Sequence, residues 1–309
     1  MNRFALAAGS PRRAGTLLCL LAAVGFGAMA VLAKLAYDAG ASVSTVLAVR
    51  FALAATVLWI LVAQPWRRGV RARLPRRRAM LAGLALGAVL YAAESGLFFA
   101  SLTRMDASLA ELALFTYPAF VLVGALVVGR EQPSRRRGLA MALALAGVAL
   151  VLVSGGAQHV DGIGALMAIG AATGYAGYVL LADTLRGELR PLALAALVCT
   201  GACLSFTVGG TATGGLSFAF AAHAWWLLAG IALVSTVVPL AAFLAGANRI
   251  GPSNAAIVST VEPVVTLGLA FALLGDRLAP IQLAGGALVL AAVLVLQVRL
   301  RPRPEAAAI

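Results

Sequence analysis

Apolar residues run along this chain in ten long stretches, at about 15–36, 43–63, 79–101, 107–129, 138–154, 163–182, 191–210, 224–246, 252–274 and 280–298. Each approaches the roughly 20 residues a helix needs to cross the hydrocarbon of a bilayer, so the pattern predicts ten membrane helices. Turn and charge chemistry separates the stretches: Gln64-Pro65-Trp66-Arg67-Arg68, Glu131-Gln132-Pro133-Ser134, Ser154-Gly155-Gly156, Gly209-Gly210, Gly214-Gly215 and Gly275-Asp276. Pro191, Pro252 and Pro280 stand at predicted helix starts, where a missing N–H costs nothing. The first stretch imitates a secretory signal, with Arg12 and Arg13 before it and Ala28-Met29-Ala30 near its end. Its apolar run exceeds the usual length of about 7 to 15 residues, which predicts a retained helix.

Composition agrees with this pattern. Of 309 residues, 62% are hydrophobic and 11% charged, with a mean hydropathy of +0.99, whereas soluble domains carry about 25% charged residues. Ten spans consume about 200 residues and leave about ten for each loop, so no extramembrane domain is expected. Cys19, Cys199 and Cys203 lie within apolar stretches without metal-ligand spacing. No metal or other cofactor is expected. Arg far outnumbers Lys, and Ala, Gly and Leu dominate, a bias that suits a GC-rich bacterial genome.

The net charge of +13 would suggest nucleic-acid binding in a soluble chain. Here the Arg clusters between apolar stretches follow the positive-inside rule instead, so no nucleic-acid partner is expected. With the amino terminus in the cytoplasm, that side holds Arg3, Arg12, Arg13, the seven Arg from 67 to 78, Arg130, Arg135 to Arg137, Arg186, Arg190, Arg249, Arg299, Arg301 and Arg303. Lys34, Arg104 and Arg277 remain outside, and Arg50 lies within the second stretch. Both termini are therefore expected in the cytoplasm, which an even number of spans allows. The inner membrane of a bacterium is the expected location.

The chain also repeats itself. An offset of 145 residues places Arg104-Met105-Asp106-Ala107-Ser108 on Arg249-Ile250-Gly251-Pro252-Ser253, Pro118 on Pro263, and Glu131 on Asp276. Five helices per copy is an odd number, so the copies are expected to enter the membrane in opposite directions. The charges follow: Arg135 to Arg137 after helix four have only Asp276 and Arg277 as their counterpart after helix nine. Inverted repeats with a midplane site are an architecture of secondary transporters. The expected organisation is a cytoplasmic tail at 1–14, a first five-helix repeat at 15–155, an extracellular linker at 156–162, a second repeat at 163–299 and a cytoplasmic tail at 300–309.

Together with this repeat, several short segments carry a family resemblance: Gly25-Phe26-Gly27, Lys34, Arg50-Phe51, Tyr117-Pro118 followed by Gly129-Arg130-Glu131, and Val261-Glu262-Pro263-Val264 followed by Gly275-Asp276-Arg277-Leu278. The chain resembles the EamA-type family of the drug/metabolite transporter superfamily from about Gly15 to Arg299. It departs from that family in carrying Asp276 where Glu is usual. The resemblance implies an all-helical alternating-access carrier of small metabolites or amino acids, often acting in export. It also implies a cavity walled by helices one to four and six to nine, with helices five and ten peripheral.

Ionisable groups inside apolar stretches cost about 2.5 kcal/mol or more at a helix centre, so each is a functional candidate. Arg50, Glu94, Glu111 and Glu262 qualify. A rise of about 1.5 Å per residue sets Arg50 and Glu94 about 10 Å, and Glu111 about 6 to 8 Å, below the outer ends of their helices. At such matched depths an Arg50–Glu94 ion pair is expected, with Glu111 as an alternative partner, either as a static pair or as a gate. Glu262 lies about 15 Å along helix nine, near the midplane. Desolvation there favours a neutral carboxyl. Two roles stay open for it: a hydrogen-bonded helix anchor, or a cavity group that couples protons or touches substrate.

Ser259, Glu262 and Thr266, spaced i, i+3 and i+7, are expected to form one polar helix face. Pro118 and Pro263 are expected to kink helices four and nine at the cavity wall, while Pro239 has no proline 145 residues earlier. Tyr91 shares a face with Glu94 and Phe98, and Tyr175 and Tyr178 lie a turn apart. With Tyr117 they can stack on a substrate or simply pack between helices. Gly83-x-x-x-Gly87 and Gly170-x-x-x-Gly174 allow close helix approach. Trp66, Trp225 and Trp226 suit interfacial anchors.

No membrane-enzyme or ATP-binding motif is present, and both histidines, His159 and His223, fall in predicted outer loops. The sequence is read as an inner-membrane carrier of a small polar metabolite or amino acid, exporting by alternating access with possible proton coupling. Its partners are that small molecule and lipid, and the oligomeric state is open. An uptake permease and a non-transporting assembly or scaffold protein stand as alternatives.

Overall fold

The computed structural model describes residues 11–67, 76–130, 134–153, 161–185, 187–251, 255 and 258–297. Several predicted features lie outside them: Glu131-Gln132-Pro133, Ser154-Gly155-Gly156, His159, Arg186, Pro252, Arg68 to Arg73, residues 1–10 of the first tail, and the second tail, while residues 11–14 of the first tail already belong to a helix. Among the described residues the chain is built from helices. These are α1 (Pro11–Gly27), α2 (Met29–Asp38), α3 (Val43–Arg67), α4 (Arg77–Leu86), α5 (Ala92–Ser101), α6 (Ala107–Leu114), α7 (Tyr117–Val127) and α8 (Arg135–Val153). They continue as α9 (Gly162–Thr184), α10 (Pro191–Ala212), α11 (Ala224–Ala232), α12 (Val238–Ile250), α13 (Glu262–Leu274) and α14 (Pro280–Gln297).

Among the described residues seven helical stretches are long and apolar enough to cross a membrane: Arg12–Asp38, Val43–Gln64, Arg77–Ser101, Ala107–Val127, Gly162–Thr184, Pro191–Ala212 and Ala224–Ile250. Gly138–Leu150, Glu262–Leu274 and Pro280–Val295 are shorter apolar helices.

Besides the break at Ala28 between α1 and α2, four of these stretches are interrupted. A π-helical turn at Gly87–Tyr91 joins α4 to α5, and another at Leu233–Val237 joins α11 to α12. The two turns occupy nearly equivalent positions of the 145-residue repeat. So although Pro239 has no matching proline, the distortion beside it has a counterpart. The third and fourth interruptions correct an expectation from sequence. Pro118 and Pro263 do not bend continuous helices; each stands in the first turn of a new one, α7 after Phe115–Thr116 and α13 after Thr260–Val261. Proline fits there because the first-turn N–H groups have no intrahelical partner.

Helices pack as pairs that exchange under the repeat. The pair α1 with α12 corresponds to the pair α5 with α9; α3 packs on α10, α6 on α13, and α8 on α14. The small residues explain the closeness. A Cβ on Gly87 would strike the backbone of Val198, and one on Gly201 the backbone of Leu84, so glycine sets the separation of this crossing. Gly83 meets only leucine side chains, and Gly170 and Gly174 face Leu97 and Glu94 across the α5–α9 contact.

Polar ties fasten the two ends of the bundle. At one end Arg104 Nη1 pairs with Asp161 at 3.0 Å, and Asp161 also accepts from the backbone N–H groups of Ile163 and Gly164 to cap α9. At the same end Ser42 Oγ donates to the Gly215 carbonyl at 2.6 Å and Thr45 Oγ1 to the Ser217 carbonyl at 2.9 Å. At the other end Arg130 Nη1 donates to the Leu180 carbonyl at 3.0 Å. Trp225 and Trp226 are exposed near the start of α11, as interfacial anchors are; the side chain of Trp66 lies outside the described residues. His223 is exposed just before α11, and Cys19 and Cys199 are buried free thiols.

Candidate functional site

The broken fourth and ninth stretches bring helix starts toward the middle of the bundle. Tyr117 opens α7 and Glu262 opens α13, and the two are equivalent in the repeat. Half-helix ends at mid-depth are where transporters assemble substrate and ion sites. Because the break falls between Ser259 and Glu262, the three residues expected on one polar face do not share a helix. Ser259 Oγ donates back to the Ala255 carbonyl at 3.1 Å. Thr266, fully buried, donates to the Gly27 carbonyl at 2.9 Å, where α1 gives way to α2. Both hydroxyls hold backbone, and Glu262 is left as the open polar group of the three.

Arg50 and Glu94 are both buried, at 3% and 7% exposure, but the expected ion pair between them is not formed. Arg50 Nε donates instead to Thr236 Oγ1 at 3.0 Å. Its guanidinium carbon lies 4.7 Å from the Phe51 ring centre and 5.1 Å from that of Phe99. The π turn explains the choice: it carries Thr236 into reach, and Thr236 in turn donates to the Ile231 carbonyl. Glu94 accepts from Ser95 Oγ at 2.9 Å and feels the Arg50 charge from beyond contact distance.

Glu111, on α6, is 4% exposed and has no hydrogen bond or ion pair among the described residues. Buried polar groups almost always have partners, so this one calls for an explanation. Among the described residues the unpartnered polar side-chain atoms fully sealed by protein are Ser235 Oγ and Gln282 Nε2. The Glu111 oxygens are not among them, so they are not fully sealed by protein. Glu111 lies within electrostatic reach of Glu94 and of Glu262, and Tyr117 lies within reach of Glu111 and Glu262.

A chain of aromatic rings borders these carboxylates. Phe206 stacks on Phe51 at 5.8 Å, Phe51 meets Tyr91 at 5.7 Å, and Tyr91 meets Tyr178 at 4.9 Å. Tyr178 stacks on Tyr175 at 5.7 Å, and Tyr175 meets Tyr117 edge-on at 4.7 Å. Tyr37 Oη donates to the Phe99 carbonyl at 3.0 Å. The hydroxyls of Tyr91, Tyr117, Tyr175 and Tyr178 have no hydrogen-bond partner among the described residues, and none is sealed. The rings pack on one another while their polar ends stay open.

The sequence singles out Arg50, Glu94, Glu111, Glu262 and the four tyrosines, and the structure links them as neighbours in a chain, Arg50 to Glu94, Glu94 to Glu111, Glu111 to Glu262, and the tyrosine rings to one another. It missed Thr236 and the π turns, because a π turn leaves no strong residue signature. It also missed Asp276, 8% exposed, which accepts from both the N–H and the hydroxyl of Ser108 at the start of α6. The acidic residue after Gly275 was the available signal.

An all-helical bundle of membrane-length apolar helices, with polar groups opening inward at mid-depth, defines a multi-pass membrane protein of transporter type. The EamA-like transporter family model matches twice, over residues 13–153 and 162–298, and the chain belongs to that family. A Bacillus subtilis (strain 168) protein named uncharacterized transporter YcbK is 28% identical over 288 residues, covering 88% of this chain and 89% of that protein. A Synechocystis sp. (strain ATCC 27184 / PCC 6803 / Kazusa) protein named uncharacterized transporter sll1319 is 28% identical over 205 residues, covering 62% of this chain and 59% of that one. A solved crystal structure matches with a TM-score of 0.63 and 16% identity over 92% of this chain and 96% of that one, a likeness of fold.

Proposed function

We propose that this protein is a secondary transporter of the bacterial inner membrane that exports a small polar metabolite or amino acid by alternating access, coupled to protons. In this reading ten spans form two inverted five-helix repeats, residues 15–155 and 163–299, joined by an extracellular linker at 156–162, with cytoplasmic tails at 1–14 and 300–309. The exchanged packing of α1 with α12 and α5 with α9 supports the pairing of the repeats. The ties Arg104 to Asp161 and Arg130 to Leu180, at opposite ends of the bundle, support the reversal of direction.

One observation carries the transport reading: Glu111 is almost completely buried, has no partner among the described residues, and yet is not fully sealed, with the unpartnered Tyr117 hydroxyl in its neighbourhood. A static bundle gains nothing from such a group, because an unsatisfied polar group at membrane depth costs several kcal/mol. A carrier needs it, since a group without a protein partner is free to bind and release a passing solute or proton. Glu262 at the start of α13 is the proposed coupling group, and Tyr91, Tyr117, Tyr175 and Tyr178 are proposed to wall the solute path.

The test is an untargeted comparison of metabolites inside and outside cells that express the wild type, Glu262→Gln or an empty vector. A metabolite that accumulates outside only with the wild type supports the reading. Identical profiles for wild type and empty vector contradict export.

A further inference from the structure

The charges at the centre do not balance. Among the described residues the ionisable groups there, besides the tyrosines and the Cys199 thiol, are Arg50, Glu94, Glu111 and Glu262, three acids against one base. Arg50 donates from Nε to Thr236, and its guanidinium lies over the rings of Phe51 and Phe99. Its charge reaches Glu94 from a distance, and Glu94 has Ser95 as a donor besides. Glu111 and Glu262 have neither a donor nor a cation within ion-pair distance among the described residues. Ion pairs are found toward the ends of the bundle, among them Arg104 with Asp161 and Arg130 with Asp183.

Beside these two carboxylates stands Tyr117, whose ring meets Tyr175 and through it Tyr178, the latter two lying nearer Glu94. Aromatic faces attract cations through the ring quadrupole, and carboxylates with no base of their own do so more strongly. A neutral or anionic guest supplies no counter-charge to these acids, which then keep their protons, whereas a cation can take the protons' place. We propose that the substrate of this site is an organic amine bearing a net positive charge, its ammonium held between Glu111 and Glu262 and its body against the tyrosine rings. This rests on the transport reading of the same site and adds the chemical class.

A series of probes that share one ring and differ in charge tests it on the purified full-length protein by calorimetry: phenethylamine, 2-phenylethanol, 3-phenylpropionate and phenylalanine. Phenethylamine is expected to bind at least about tenfold tighter than 2-phenylethanol, with phenylalanine and 3-phenylpropionate weaker than the amine. Glu111→Gln is expected to reduce amine affinity by about tenfold while the neutral alcohol is unaffected. Binding of the acid or the zwitterion as tight as that of the amine overturns the proposal, as does a lack of amine binding. An unchanged amine preference in both Glu111→Gln and Glu262→Gln overturns it too, and these results use the wild-type protein or isosteric variants. The two readings fail separately: a protein that binds the amine but moves no solute across a proteoliposome loses the carrier function, and one that exports an anion loses only the amine.

Discussion

The carboxylate of Asp276 accepts two hydrogen bonds from Ser108, 168 residues away: one from its backbone N–H at 3.2 Å and one from its hydroxyl at 3.0 Å. A residue at the end of α13 thereby caps α6 in the other half of the chain. The N-terminal N–H groups of a helix need such acceptors. Asp106 lies close enough to feel Asp276, and Lys34 offsets the repulsion in part; burial and then Asp276 raise the Asp106 carboxyl above the usual aspartate range.

Asp276→Ala is therefore expected to destabilise the protein by about 1–2 kcal/mol, because it leaves a buried N–H without an acceptor. Ser108→Ala keeps the N–H bond and loses only the hydroxyl, so its effect is expected to be smaller. Thermal unfolding in detergent ranks the two, and an equal or reversed order contradicts the capping role.

For Arg50 the expected outcomes separate two accounts. Were it paired with Glu94, Glu94→Gln would break a buried ion pair at a cost of about 3–5 kcal/mol. With Arg50 on Thr236 and two phenylalanine rings, Glu94→Gln is expected to shift stability by less than about 1 kcal/mol, while Thr236→Val costs about 1–2 kcal/mol. Arg50→Lys is not expected to be conservative, since lysine lacks the planar faces and the Nε donor. Unfolding midpoints of the three variants supply the comparison.

Close approach at the α4–α10 crossing gives a steric prediction. Gly87→Ala pushes a methyl into Val198 backbone and is expected to cost about 1–3 kcal/mol. Gly170→Ala meets only the flexible end of Leu97 and is expected to cost less. Similar losses for both would mean that side-chain adjustment does not distinguish the sites.

Much of this was legible from residue order. Apolar length marked the helices, because nothing but length and hydrophobicity decides what can cross hydrocarbon, and the 145-residue offset marked the equivalence of Tyr117-Pro118 and Glu262-Pro263. Glu111 and Glu262 stood out because charge in an apolar run is costly. Partner choice was not legible. Depth along a helix put Arg50 level with Glu94, but the π turn at Leu233–Val237 delivers Thr236 instead, and rise per residue says nothing of rotation about the axis. Periodicity likewise joined Ser259 to Glu262 across a point where the helix stops.

Acid sensitivity is expected at the end that carries Asp161. The N–H groups of Gly164 and Ile163, and Arg104, hold its carboxyl below the usual aspartate range. A depressed carboxyl contributes stability that is present above its unfolded pKa and lost as pH falls through its folded value. Asp161→Asn is expected to lower the unfolding temperature slightly at neutral pH, with the gap to wild type closing below the ordinary aspartate range. A gap that widens in acid contradicts this assignment.

The central claim is that Glu111 and the open tyrosine hydroxyls line a water-filled path inside the membrane. The most direct measurement places single cysteines at Tyr117 and Tyr178, on a background with Cys19, Cys199 and Cys203 replaced by Ala, and exposes membranes to an impermeant thiol reagent from each side. The account predicts that both positions are modified, with the accessible side changing as substrate is added. Resistance of both positions from both sides, while a cysteine at exposed Ala221 is modified, would show a closed core and contradict the account.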